Sequence, residues 1–200
     1  MALDFPSGIG KVSIYWQPSS TVVSSTSLFT KVTQSYAYSG KKRLVSIEIP
    51  PLVIKQAKEL HAFFCRLNGS EGTFLIGDGA GAESSGNYTG EIITVTNVSS
   101  DRSQITVSGF LPNVDEVLAA GDWIGVRNRL YTVTNSIDSD TNGHATIDLW
   151  PNAKPTLATS DTLAINDAKG EFRLTSWPAY GSEVYLLQSG FILEAEEVVT

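Results

Sequence analysis

The chain has 200 residues, of which 42% are hydrophobic, with one cysteine and a formal net charge of -7. That much apolar material excludes a disordered chain and is enough for one large domain or two small ones with real cores. A lone cysteine, Cys65, excludes an intramolecular disulfide, so stability must come from packing or assembly. No apolar run approaches the roughly 20 residues that span a bilayer, and no charged leader precedes one, so a soluble chain made in the cytoplasm is expected, with no membrane insertion.

In chain order the elements are mostly strands. From Lys11 to Trp16, Val12, Ile14 and Trp16 alternate with Ser13 and Tyr15, and from Arg43 to Ile49, Val45, Ile47 and Ile49 alternate with Ser46 and Glu48. This period of two marks half-buried antiparallel strands. Lys41-Lys42-Arg43, following Ser39-Gly40, reads as a solvated turn, as a charge run of three usually is. Pro50-Pro51 stops the second strand. A helix is predicted over 52–67, where Ala57, Leu60, Phe64 and Leu67 recur at spacings of three and four, Phe63 widens the stripe, and Lys55, Lys58 and Glu59 take the other face. Asn68-Gly69 closes it, with a glycine able to take the left-handed conformation.

Next come a short strand in Gly72 to Gly79 and a run of small residues from Ala80 to Gly86 that reads as a linker. Six strand candidates follow, at Glu91 to Asn97, Ser103 to Gly109, Asp122 to Val126, Arg129 to Asn135, His144 to Trp150 and Asp161 to Ile165, sufficient for a small closed barrel. Strand pattern resumes at Glu171 to Trp177 and in a long run from Glu183 to Ala195. Charge separates the middle from the rest: Glu83 to Lys169 carries 11 acidic and 5 basic residues, a net of -6, against -1 elsewhere. Neither part has the clustered basic face that phosphate contacts need, so no sequence-specific nucleic-acid binding is expected.

The residues that could carry chemistry are few. The only histidines are His61 and His144; His61 and Cys65 are four apart on the predicted helix and could meet, but Cys65 among Ala62, Phe63, Phe64 and Leu67 reads as a small core hydrophobe. Asp115-Glu116 and Glu196-Glu197 read as solvated pairs. Asp138, Asp140 and Asn142, followed by Gly143, match the start of a calcium loop, but its twelfth position is Leu149 where a bidentate Glu is needed. The segment therefore reads first as a hairpin tip and second as a weak cation site. Trp123 and Trp150 are candidates for saccharide or partner contact; adjacent Trp123 and Ile124 must face opposite sides of a strand. No cofactor, catalytic residue or resident metal is expected.

Aromatic-rich N-terminal strands, Pro50-Pro51-Leu52 opening a helix that runs through Ala62-Phe63-Phe64-Cys65-Arg66-Leu67-Asn68-Gly69, and then Gly72-Thr73-Phe74 resemble the first half of the distal tail proteins of phages with long, flexible, non-contractile tails. Ala119-Ala120-Gly121-Asp122, Leu130-Tyr131-Thr132-Val133, Gly143 to Pro151 and Gly170-Glu171-Phe172-Arg173-Leu174 resemble that family's inserted oligonucleotide/oligosaccharide-binding barrel and the return to its first domain. The resemblance implies a mainly β protein: an outer antiparallel β-sandwich or barrel over 1–82 and 171–200 with one helix at 52–67, and a small OB-like barrel inserted over 83–170. It further implies a non-enzymatic structural protein of the virion tail tip, made in the host bacterial cytoplasm, whose six copies form a ring joining the tail tube to tip or baseplate hub proteins. The second reading is a tail accessory protein that binds host-surface saccharide.

Overall fold

The computed structural model describes residues 2–9, 12–176, 187–188 and 190–199. Among the described residues the chain is mainly β with one helix, and it divides into two compact units, residues 1–74 with 172–200, and residues 75–171.

The first unit is built on a sheet of β1 (Leu3–Asp4), β2 (Ser13–Thr26), β3 (Thr33–Ile49), β5 (Phe74–Ile76), β11 (Gly170–Leu174) and β13 (Phe191–Glu197), in the order β1-β5-β11-β13-β3-β2. A separate pair joins β4 (Leu52–Val53) to β12 (Leu187–Gln188). The alternation read from the sequence places Val45, Ile47 and Ile49 of β3 on the core face with Leu193 and Ala195 of β13 and Phe172 and Leu174 of β11, all buried. Helix α1 (Ile54–Leu67) starts two residues later than expected, because Leu52 and Val53 are drawn into pairing with Gln188 and Leu187. It buries Ala57, Leu60, Phe63, Phe64 and Leu67. Phe63 meets Phe5 edge-on at 5.7 Å and Phe74 at 6.0 Å, a geometry that adds to the burial of three large rings. Asn68, not Gly69, is the first left-handed residue at its end, and the Asn68 N–H donates back to Phe64 and Cys65.

Three expectations are corrected. Lys41-Lys42-Arg43 is no turn: it lies inside β3, Lys42 pairs with Glu196 at 2.5 Å, and Arg43 is 2% exposed. Glu196-Glu197 is not a solvated pair, since alternate strand residues face opposite ways and Glu197 is turned onto the core face. Cys65 is exposed, because the buried stripe of α1 runs along 57, 60, 63, 64 and 67 and leaves position 65 on its flank. We therefore expect a thiol reagent to label native Cys65 at a rate close to that of a free thiol; protection of more than a hundredfold would return it to the interior. Of the expected strand over Glu183 to Ala195, residues 183–186 and 189 lie outside the described residues.

The second unit is a small barrel of β6 (Thr94–Val98), β7 (Gln104–Ser108), β8 (Trp123–Val126), β9 (Arg129–Val133) and β10 (His144–Trp150), ordered β6-β7-β10-β9-β8. The two edge strands do not stay open. Segment 160–164 bridges both, with Thr162 opposite Thr94 and Ala164 opposite Gly125, so the sheet closes on itself and its long edges disappear. Its interior is filled by alternate residues, among them Val95, Ile105, Val107, Ile124, Tyr131, Val133 and Ile147. Arg129 lies over the Tyr131 ring at 5.5 Å and is 4% exposed. The ends of the unit come together: a side chain on Gly77 would meet the Ala168 carbonyl oxygen at 2.2 Å, an approach only glycine permits.

Asp122, 5% exposed, ties Ser84 and Ser85, within the run expected to be a linker, to this barrel. Its carboxylate accepts the Ser84 hydroxyl, the Ser85 N–H at 2.9 Å and the Ala119 N–H at 3.0 Å. Burial by itself would raise its pKa, but these donors outweigh burial and hold it below the usual carboxylate value. A lowered folded pKa means that the stabilisation is fully present above the unfolded value, about 3.9, and is lost as pH falls through the folded value. Asp122→Asn, which retains one acceptor oxygen, is expected to cost about 2 kcal/mol at neutral pH and to flatten the acid limb of the stability profile; an unchanged limb in chemical denaturation between pH 2 and 5 would contradict this.

Candidate functional site

The feature of the first unit with the greatest exposed apolar surface was not visible in the sequence. β2 and β3 pair far beyond the body of the sheet, from Ser13↔Glu48 to Thr26↔Thr33, with one irregularity between Ser20 and Val22. Every residue from Ser20 to Tyr38 except Ser27 is exposed, so the outer half of the hairpin is a two-stranded arm covered on neither face. Val23 pairs with Tyr36, and Tyr36 meets Tyr38 edge-on at 5.1 Å on the same face. At the tip, the Ser27 hydroxyl accepts the N–H groups of Phe29 and Thr30, which shapes the turn and turns its apolar residues outward. Leu28 is 82% and Phe29 98% exposed. No acidic residue lies between Ser19 and Gly40, and Lys31 is the only charge there.

The body of the same sheet carries a cleft of about 240 Å³ on the face opposite its core. Tyr15 pairs with Ser46, and Ser46 with Glu194, which sets these three in one row across β2, β3 and β13. Gln17 pairs with Leu44 in the next row, so Leu44 adds an apolar side chain to the cleft beside the row of Tyr15, Ser46 and Glu194. The Tyr15 hydroxyl donates to Glu48 at 3.3 Å, fixing the ring at the rim.

On the barrel, β8, β9 and β10 bring the two candidate tryptophans into one row. Trp123 pairs with Thr132, and Thr132 with Trp150. Residues directly opposite share a face, and the neighbours Ile124, Tyr131, Val133 and Leu149 are all buried, so the row Trp123, Thr132, Trp150 lies on the outer surface, each member half-buried. Two residues before Trp150 on that face, Asp148 accepts Gln104 Nε2 at 2.7 Å and Asn135 Nδ2 at 2.8 Å, which fixes both carboxylate oxygens.

The acidic loop is a braced hairpin end. Asp140 Oδ1 accepts the N–H groups of Asn142 at 2.7 Å and His144 at 2.8 Å, and these bonds hold its carboxyl below the ordinary range. Asp138 Oδ1 accepts the Glu116 N–H at 2.6 Å, and buried Ser139 accepts that of Val114. Asp140 thus braces the turn and Asp138 ties its start to Glu116, and among the described residues no group of three His, Cys, Asp or Glu side chains is placed to hold a metal ion. His61 Nε2 and Cys65 Sγ are 3.7 Å apart on the outer flank of α1. No helix among the described residues is long and apolar enough to cross a membrane.

Comparison of the chain with models of known protein families finds no match, and comparison with curated proteins finds none.

Proposed function

We propose that the chain is a structural, non-enzymatic subunit that assembles with copies of itself into a ring at the tip of a phage tail, made in the host bacterial cytoplasm and joining the tail tube to tip or baseplate proteins. The observation that carries this reading is the bare β-arm. A two-stranded hairpin is at best marginally stable alone in water, and an uncharged edge strand of 14 residues, interrupted by Pro18 and by the irregularity between Ser20 and Val22, invites another chain to cover it. Such an arm gains its stability when a neighbour packs against it. Contact between two different patches of identical subunits is head-to-tail, and closes into a ring when the rotation allows. Six is the number that the resemblance to distal tail proteins implies. The test is mass measurement and imaging over a range of concentrations, with and without purified tail tubes: rings of six, free or on tubes, are expected, and a monomer or strict dimer under all these conditions would overturn the reading.

The second reading, a surface that binds host saccharide, rests on the row Trp123, Thr132, Trp150 beside the fixed Asp148 carboxylate. Strands two apart place the indoles about 10 Å from each other, suited to stacking on alternate sugar rings. The acidic surroundings favour a neutral glycan over an anionic one. Neutral oligosaccharides at millimolar concentration would then shift the tryptophan fluorescence of the wild type and not of Trp150→Ala.

A further inference from the structure

We infer that the tip of the arm of one subunit inserts Phe29 into the cleft between Tyr15, Leu44 and Glu194 of the next. This rests on the ring-forming reading above and names the contact that would build it. The two patches lie on the same unit of the chain, yet one subunit cannot bring them together: along β2 the tip stands about 40 Å from Tyr15, counted as strand rise. The knob is fully formed, with Phe29 98% and Leu28 82% exposed on a turn fixed by Ser27. The hole is of matching size, since a cavity of about 150 Å³ is enough for a benzene ring and this one holds about 240 Å³. Charge matches as well. Lys31, the one charged residue of the tip, follows Phe29 by two positions, and Glu194 lines the cleft, so docking the ring brings a cation to a carboxylate.

Unless two copies exchange arms reciprocally, a knob and a hole at different places on one molecule make a heterologous contact, which leaves one knob and one hole open until the series of subunits closes. Each subunit gives one arm and receives one, which is the arrangement a ring requires. A second copy of this chain is therefore the occupant of the cleft.

The test uses the full chain with Cys65→Ser, so that introduced thiols are the only ones present. Phe29→Cys and Gln17→Cys are made as separate proteins; mixed and oxidised, they are expected to form a disulfide-linked pair, while each alone stays uncrosslinked. The double variant should give a ladder ending at six. Phe29→Asp should raise the concentration at which rings form by more than tenfold, and Lys31→Glu should weaken assembly in a way that Glu194→Lys restores. All these positions are solvent-exposed, so unchanged circular dichroism is expected in every variant. Rings that form as well with Phe29→Asp, or oxidation that links Phe29→Cys only to itself, would overturn the inference and leave the ring-forming reading standing. A chain that never assembles, alone or on tail tubes, would overturn both.

Discussion

Replacing Glu197 with alanine is expected to lower the stability of the first unit by about 3 kcal/mol, the upper range for leaving a buried N–H without the charged acceptor it donates to. The main-chain ladder between β13 and β3 ends at Glu196↔Leu44, so the N–H of Arg43 has no carbonyl opposite it. The Glu197 carboxylate takes that place, accepting the Arg43 N–H at 3.1 Å. Both side chains are on the core side of the sheet, 3% and 2% exposed, where neither charge has water to compensate it. Alanine would leave the buried Arg43 N–H without its acceptor. Glu197→Gln keeps an acceptor and should lose less. Urea unfolding of the wild type and the two variants decides it. A loss under 1 kcal/mol for Glu197→Ala would mean that solvent reaches this corner of the sheet.

Gly143→Ala is expected to cost the barrel about 4 kcal/mol, although the position lies in a surface hairpin where substitutions ordinarily cost little. Its φ is +74°, a conformation that charges any other residue with strain, and its carbonyl accepts the N–H groups of Gly109 and Phe110, both at 3.2 Å. That pairing brings the backbones so close that a β-carbon would fall 2.1 Å from the Phe110 carbonyl oxygen. The obstacle is backbone, and cannot rotate aside. The hairpin would have to move, opening the end of the barrel where buried Phe110 packs. Asn142→Ala, two residues beyond the brace at Asp140 and with an exposed side chain, is the control and should stay within about 0.5 kcal/mol. Equal thermal midpoints for the two variants would contradict the argument.

The strands 43–49 and 144–150 were legible because each has one buried face, and burial imposes an alternation that a reader of the sequence can see. The helix was legible for the same reason at a period near 3.6. The arm was not, because a hairpin exposed on both faces places no demand on which residues are apolar; Ser19 to Gly40 keeps no steady alternation, and only its pairing makes it a strand. Lys41-Lys42-Arg43 misled because a charge run is normally solvated, whereas here β3 continues through it and pleating turns Arg43 to the core. Trp123 and Trp150 were picked out singly, by residue type and by adjacency to Ile124. That they share a row with Thr132 needed the register of three strands.

What this sequence determines by itself is therefore period: which segments can be half-buried strands, where the one helix runs, and that the acidic middle is compositionally distinct. What only the tertiary structure decided is register and partnership, namely that β3 runs on into an uncovered arm, that segment 160–164 closes the barrel, and that Lys42 meets Glu196 across a separation of 154 residues. The physical reason is that periodicity is a property of neighbours along the chain, enforced locally by backbone geometry. Cross-strand pairing joins residues far apart in the chain, and is selected by the energy of the whole sheet.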